Sequence, residues 1–309
     1  MMKNLMTVSE LDAKDISEMV RIARKFKNGK NVSLKKVKNK TLALIFQKPS
    51  TRTRLSFEIA MEQMGGNSIF LSESDLQISR GELIKDTART LSEYVDIVAM
   101  RTYHNSDIQE FIDNSSIPVI NALSNTNHPC QALSDIQTII EKKKTLRNLK
   151  ITWIGDSNNV LNDFLFAALK LGADFSIACP SKYSPNKGII EVAKEIMRKN
   201  KSSLSISTDP MKAVIDSDVV VTDKIVSMGD KNKEGKKKVF LPKYRVTDKI
   251  MSKAKDDAIF MHCLPAVRGE EVSDSVIDGK NSVIWQQVDN KLHMHKALIS
   301  SMLAYKYIR

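Results

Sequence analysis

The run Thr41-Leu42-Ala43-Leu44-Ile45-Phe46-Gln47-Lys48-Pro49-Ser50-Thr51-Arg52-Thr53-Arg54-Leu55-Ser56-Phe57-Glu58 decides how this chain is read. Its first six residues are apolar and short, the pattern of a buried strand. Pro49 stops that strand. Ser50 and Thr51 are good N-cap residues for a helix over 52–64, where Leu55, Ile59, Ala60 and Met64 line one face. A strand that gives way to hydroxyls and guanidiniums at a helix N-terminus is a ready anion site. Free backbone N–H groups and the positive end of the helix dipole point at the ligand. Arg52 and Arg54 can add forked, charge-assisted hydrogen bonds to phosphate oxygens.

Outward from this stretch, apolar runs alternate with helix-length amphipathic segments. Strands are expected at 41–46, 67–71, 97–100, 119–121, 150–154, 174–178, 219–222, 258–262 and 282–286. Helices are expected over 9–27, 84–94, 131–144, 160–171, 185–200 and about 290–307. Such alternation implies an α/β fold with parallel sheets covered by helices on both faces. Ligands of such sheets bind beyond the carboxyl ends of the strands, and the polar clusters of this chain follow its strands. The 309 residues suffice for two domains. The charged stretch after the helix at 131–144 marks a boundary, giving domains 1–146 and 147–309, with the last helix expected to pack back on the first domain.

Composition excludes several classes. A hydrophobic fraction of 42% and a charged fraction of 27% are those of a soluble globular protein. No apolar run nears the ~20 residues needed to span a bilayer, and the N-terminus lacks a signal-peptide core; a cytoplasmic location is expected. Cys130, Cys179 and Cys263 are too few and too scattered for a disulfide framework, and no C-x-x-C or H-E-x-x-H spacing supports a metal site beside His128 or His262. The net charge of +12 is dispersed lysine, apart from the dense run Lys231–Lys238, which reads as a solvated mobile loop. Few aromatics and no finger or RNP pattern argue against a nucleic-acid module.

Phe46–Glu58 as a whole resembles the carbamoyl-phosphate signature of the aspartate and ornithine carbamoyltransferases. The resemblance implies that Ser50, Thr51, Arg52 and Thr53 bind the phosphate. Further motifs carry it along nearly the whole chain. Arg101, closing a strand, matches an arginine on carbamoyl phosphate. His128-Pro129-Cys130-Gln131 resembles H-P-x-Q, in which the histidine donates to the carbamoyl oxygen and the glutamine holds the amide. The physical logic is an oxyanion hole, because charge builds on that oxygen as an amine attacks. The stretch 74–89 resembles the loop and helix that a neighbouring subunit lends to the site, with Gln77 as a carbamoyl-phosphate ligand. Trp153-Ile154-Gly155-Asp156-Ser157-Asn158-Asn159 lacks G-x-G-x-x-G, so a dinucleotide is not expected.

The second substrate is set by the second half. Asn159 matches an asparagine that meets an amino acid's carboxylate. Thr222–Gly229 resembles a D-x-W-x-S-M-G loop, in which Asp223 takes the α-ammonium and Ser227 with Met228 completes the head-group contacts. Met261-His262-Cys263-Leu264-Pro265-Ala266 resembles the H-C-L-P-A of the ornithine branch, with Cys263 near the side-chain amine and the Leu264 carbonyl on the carbamoyl NH₂. Two positions depart from the family: Ile225 replaces the tryptophan of the loop, and Lys291 replaces an arginine, keeping charge but losing the planar fork.

What the resemblance implies is therefore two Rossmann-like, doubly wound parallel-sheet domains with the active site in the cleft between them. The implied reaction is transfer of the carbamoyl group of carbamoyl phosphate to L-ornithine, giving L-citrulline and phosphate. Arg52, Arg101, His128 and Cys263 are the expected catalytic residues. No metal or organic cofactor is implied, and the expected assembly is a homotrimer or a multiple of trimers. Putrescine or an N-acylated ornithine is the alternative acceptor.

Overall fold

The computed structural model describes residues 2–30, 32–226 and 232–305. The chain forms two compact units, Met1–Gln137 with Asp289–Arg309, and Thr138–Val288. The sequence places a domain boundary at 146/147, and the chain passes from the first unit to the second after Gln137.

The first unit runs α1 (Ala13–Lys27), β1 (Thr41–Phe46), α2 (Thr51–Gln63), β2 (Asn67–Ser72), α3 (Ile84–Tyr94), β3 (Ile97–Arg101), α4 (Asn105–Asp113), β4 (Val119–Leu123) and the start of α5 (Pro129–Lys143). A reciprocal cap opens α1: Asp15 N donates to Asp12 Oδ1 at 2.7 Å, and Asp12 N donates to Asp15 Oδ2 at 3.3 Å. Ile16, Met19, Val20 and Ala23 form its buried stripe. The four strands are parallel in the order β2-β1-β3-β4. Strands β1 and β3 are buried along nearly their whole length, as parallel strands covered on both faces must be. Ala43, Ile45, Val98, Met100, Ile108, Phe111 and Val119 make the core.

The second unit continues with β5 (Lys150–Ile154), α6 (Asn159–Lys170), β6 (Asp174–Ala178), α7 (Lys187–Asn200), β7 (Leu204–Ser207), α8 (Pro210–Ala213), β8 (Val219–Thr222), α9 (Lys233–Phe240), α10 (Asp248–Met251), β9 (Ile259–His262), α11 (Asp274–Ile277) and α12 (Ile284–Tyr305), which runs on into the first unit. Its five strands are parallel in the order β7-β6-β5-β8-β9. Both units are thus α/β with a parallel sheet, as expected.

Several expectations fail locally. Residues 282–286 are not a strand. Asn281–Val283 only touch the edge of β9, through Phe260 N to Asn281 O (2.8 Å) and Val283 N to Phe260 O (3.0 Å), and the chain then turns into α12. A short apolar run fits a strand or the first turn of a buried helix equally well. Strand β7 went unseen because Leu204-Ser205-Ile206-Ser207 is a four-residue edge with serines at alternate positions. The lysine run is not a solvated loop over its described part: residues 233–240 are α9, and Lys236 is buried.

Candidate functional site

In the first unit the chain leaves β1 toward β2 on one side of the sheet and β3 on the other. The gap between the ends of β1 and β3 is therefore a topological switch point, where open α/β sheets hold ligands. Gln47 braces that gap: its N–H donates to Arg101 O at 2.8 Å, and its Oε1 accepts from Tyr103 N at 2.9 Å. Ser50 is extended (φ −158°) and caps α2, its Oγ accepting from Thr53 N at 3.3 Å. Thr51 is exposed, Arg52 half-buried and Thr53 buried, so the first turn of α2 presents one hydroxyl and one guanidinium outward over a fixed base. Arg54, read from sequence as a second phosphate arginine, is committed elsewhere. Its Nε donates to Glu58 Oε1 at 3.0 Å, and its guanidinium lies 3.6 Å from the Phe70 ring centre.

Three more basic groups close in from neighbouring strand ends. Arg101 and Lys48 are buried. The Lys48 ammonium bonds Asn125 Oδ1 and stands 4.4 Å from the Tyr103 ring centre. Burial, and then the Arg101 charge, draw its pKa down to about 8. His128, at the head of α5, is buried, and desolvation followed by the charges of Lys291 and Arg101 holds its pKa well below the ordinary histidine value. It is a neutral imidazole at pH 7, suited to donate one hydrogen bond rather than to add charge.

Lys291 stands where the resemblance implies an arginine. Its Nζ donates to Gln131 Oε1 at 2.8 Å, and Gln131 Nε2 donates to Asp135 Oδ1 at 2.8 Å. Lysine is a pure donor and aspartate a pure acceptor, so the two ends of the Gln131 amide have no freedom to exchange. Lys291 therefore fixes the Gln131 amide. Gln77 lies exposed in a 3-10 turn, Gln77–Arg80.

In the second unit the switch point falls between β5 and β8. Gly155 follows β5 at φ +142°, a conformation that favours glycine, and a Cβ there would sit 3.4 Å from Thr222 Oγ1. Asn158 caps α6, its Oδ1 accepting from Val160 N and Leu161 N at 3.0 and 3.2 Å. The other end of the same amide, Nδ2, donates to Asp223 Oδ2 at 2.7 Å. Asp223 Oδ1 accepts from Cys263 Sγ at 3.1 Å. Asn159, assigned to the site from sequence, is half-buried at the first position of α6. Asn158 has no role in the sequence reading, although its signal is there: an asparagine before a helix is a cap whose second amide group remains for other use. Ser227 and Met228 lie outside the described residues. Ile225, where the resemblance implies a tryptophan, is buried in the core of this unit.

The turn after β9 is braced from behind. His262 Nδ1 accepts from Leu264 N at 2.9 Å, so the proton sits on Nε2, which donates to Glu271 Oε1 at 3.2 Å. The same oxygen accepts from Val267 N at 2.6 Å. Leu264 takes φ +57°, a left-handed conformation costly for a side-chain-bearing residue, and these bonds hold it there. Asp223, His262 and Cys263 bring one ligand atom each within 4.8 Å of one another. Both nitrogens of His262 are already engaged, so the imidazole braces the turn, while the carboxylate and the thiol are bonded to each other.

Residues 3–141 match the model of the aspartate/ornithine carbamoyltransferase carbamoyl-P binding domain, and residues 147–302 that of the Asp/Orn binding domain. The ornithine carbamoyltransferase of Cenarchaeum symbiosum is 45% identical over 300 residues, covering 97% of this chain and 98% of that one. Among solved structures, ornithine carbamoyltransferase from Pyrococcus furiosus has a TM-score of 0.93 at 44% identity, covering 98% and 97%. Anabolic ornithine carbamoyltransferase from Campylobacter jejuni has a TM-score of 0.91 at 41% identity, covering 97% and 99%. With the two domain models matching residues 3–141 and 147–302 and full-length relatives at 41–45% identity, this chain belongs to the aspartate/ornithine carbamoyltransferase family.

Proposed function

We propose that this chain transfers the carbamoyl group of carbamoyl phosphate to the δ-amine of L-ornithine, giving L-citrulline and phosphate. Ser50, Thr51, Arg52 and Thr53 hold the phosphate, with Gln77, Arg101, His128, Gln131, Cys263, the Leu264 carbonyl and Lys291 completing that ligand set. Asn159, Asp223, Ser227 and Met228 take the amino-acid head group. The neutral δ-amine attacks the carbonyl carbon, the bond from that carbon to the phosphate oxygen breaks, and the departing phosphate accepts the amine's proton. Arg52 and Arg101 stabilise the charge leaving with phosphate, while His128, Arg101 and Thr53 stabilise the oxyanion.

The observation that carries the choice of acceptor is the Asn158–Asp223–Cys263 chain of 2.7 and 3.1 Å bonds at the ends of β8 and β9. A held carboxylate beside a thiol suits an ammonium and an amine, whereas the β-carboxylate of aspartate calls for cations. Ornithine, putrescine, N-acetylornithine and aspartate should be compared as acceptors by product formation. Ornithine should exceed each of the others by about 10²-fold or more in kcat/KM, the scale of leaving a buried polar group unpaired. A preference for putrescine or aspartate overturns the assignment.

The working form we propose is a cytoplasmic homotrimer. Exposed Leu55, Ile59 and Ile69 on α2 and β2 give the first unit an apolar surface for a second copy, close in sequence to Gln77. No described helix is long and apolar enough to cross a membrane. Light scattering at three times the chain mass, or at a multiple of that, is the expected result.

A further inference from the structure

His295 lies on α12 one turn beyond Lys291, fully buried, and no sequence motif points to it. Its ring stacks on Phe57, with centroids 3.7 Å apart and planes 12° from parallel. Its Nδ1 stands 2.9 Å from Ser56 Oγ. Both partners belong to α2, in the turn that follows Thr53. Ser56 Oγ in turn lies 3.1 Å from the Thr53 carbonyl. A serine hydroxyl has one proton to give. With that proton on the Thr53 carbonyl, Nδ1 carries its own hydrogen and donates to Ser56 Oγ, so the chain of bonds ends on the backbone of the phosphate-binding turn.

The opposite nitrogen, Nε2, is buried and makes no hydrogen bond among the described residues. It is then the lone-pair nitrogen of a neutral ring, in keeping with a pKa held far below the histidine range by burial and by Lys291. A leucine would fill the same space without burying an unpaired polar atom. The feature that requires histidine here is its combined stack and hydrogen bond on α2.

We propose that His295 is a positioning residue for carbamoyl phosphate: through Ser56 and Phe57 it fixes the first turns of α2, and with them the aim of Ser50, Arg52 and Thr53. This rests on the reading that the head of α2 binds the phosphate. His295 itself does not touch the substrate.

Three single variants, one double variant and one control test it. His295→Phe keeps the stack and loses the hydrogen bond. Ser56→Ala loses the same bond from the other side, and as a helix-favouring change it keeps the fold. His295→Asn keeps a donor near the Nδ1 position. With each substrate varied separately, His295→Phe and Ser56→Ala should each raise the KM for carbamoyl phosphate about fivefold, the worth of one hydrogen bond. The KM for ornithine should stay within about twofold, the double variant should be no worse than either single one, and His295→Asn should recover part of the loss. A fall in Tm with an unchanged carbamoyl-phosphate KM overturns the proposal, as do additive effects in the double variant or equal rises in both KM values. Arg52→Ala, run alongside, reports separately on the ligand: normal carbamoyl-phosphate kinetics in that variant would sink the phosphate assignment, whatever His295 does.

Discussion

A thiol that donates to a carboxylate 3.1 Å away is a polarised thiol, and Cys263 is held in that state by Asp223. Free ornithine keeps its δ-ammonium protonated up to about pH 10.4, the lysine reference value, so a site that uses it must favour the neutral amine. On the proposed reading, Cys263 and Asp223 are the groups that tune that equilibrium. Cys263→Ser changes little volume and keeps a donor, but a hydroxyl is harder and shorter than a thiol. It should raise the ornithine KM severalfold and displace the alkaline limb of the kcat/KM profile, with the fold unchanged. An identical profile and KM would reduce the thiol to packing. Arg52→Ala should be harsher, about 10²-fold or more in kcat, since its charge matters most as phosphate departs.

Helix α9 shows how an element can hide its own logic. Its sequence, Lys233-Glu234-Gly235-Lys236-Lys237-Lys238-Val239-Phe240, is dominated by charge, yet it buries Phe240 and Lys236. The Lys236 ammonium meets Asp156 Oδ2 at 2.7 Å, with both side chains nearly out of solvent, and Lys237 meets Glu270 Oε1 at 2.6 Å. Asp156 follows β5, so this pair ties α9 to the sheet end that carries Asn158. Removing one partner of a buried pair leaves the other charge desolvated. Lys236→Met should therefore cost about 3 kcal/mol in urea unfolding, and adding Asp156→Asn should return much of it. A loss below about 0.5 kcal/mol would class the pair with ordinary surface bridges.

For the whole molecule the consequence is a pH dependence of stability. His128 and His295 are both neutral in the native first unit because burial lowers their pKa, whereas the unfolded chain protonates near 6.5. Below that value the unfolded state takes up protons that the native state refuses, so stability is full above about pH 6.5 and falls as pH drops through it. Each histidine contributes up to about 1.4 kcal/mol per pH unit in that window. Thermal unfolding at pH 7.5 and 5.0 should show a lower Tm at acid pH, and His295→Phe should flatten the slope. An unchanged slope would mean that His295 is protonated in the native protein.

Much of this protein follows from local chemistry. A threonine and five apolar residues, a proline, two hydroxyls and an arginine specify a strand, a stop, a cap and an anion site at Thr41–Thr53, because each acts on its immediate neighbours. The alternation of strands and helices follows in the same way. Which of the groups at a site bond to one another is not carried by local pattern. Asn158 and Asp223 lie 65 positions apart, Asp223 and Cys263 40, and Ser56 and His295 239. Their meeting depends on which strands become neighbours and where α12 returns, and those are properties of a sheet order and a packed core. For the same reason Lys236 reads as solvated until Asp156 stands in front of it, and residues 282–286 read as a strand until the edge of β9 is found to hold only their first residues. Local pattern determines which groups stand at the ends of elements; only the sheet order and the packing of the elements decide which of those groups share a hydrogen bond.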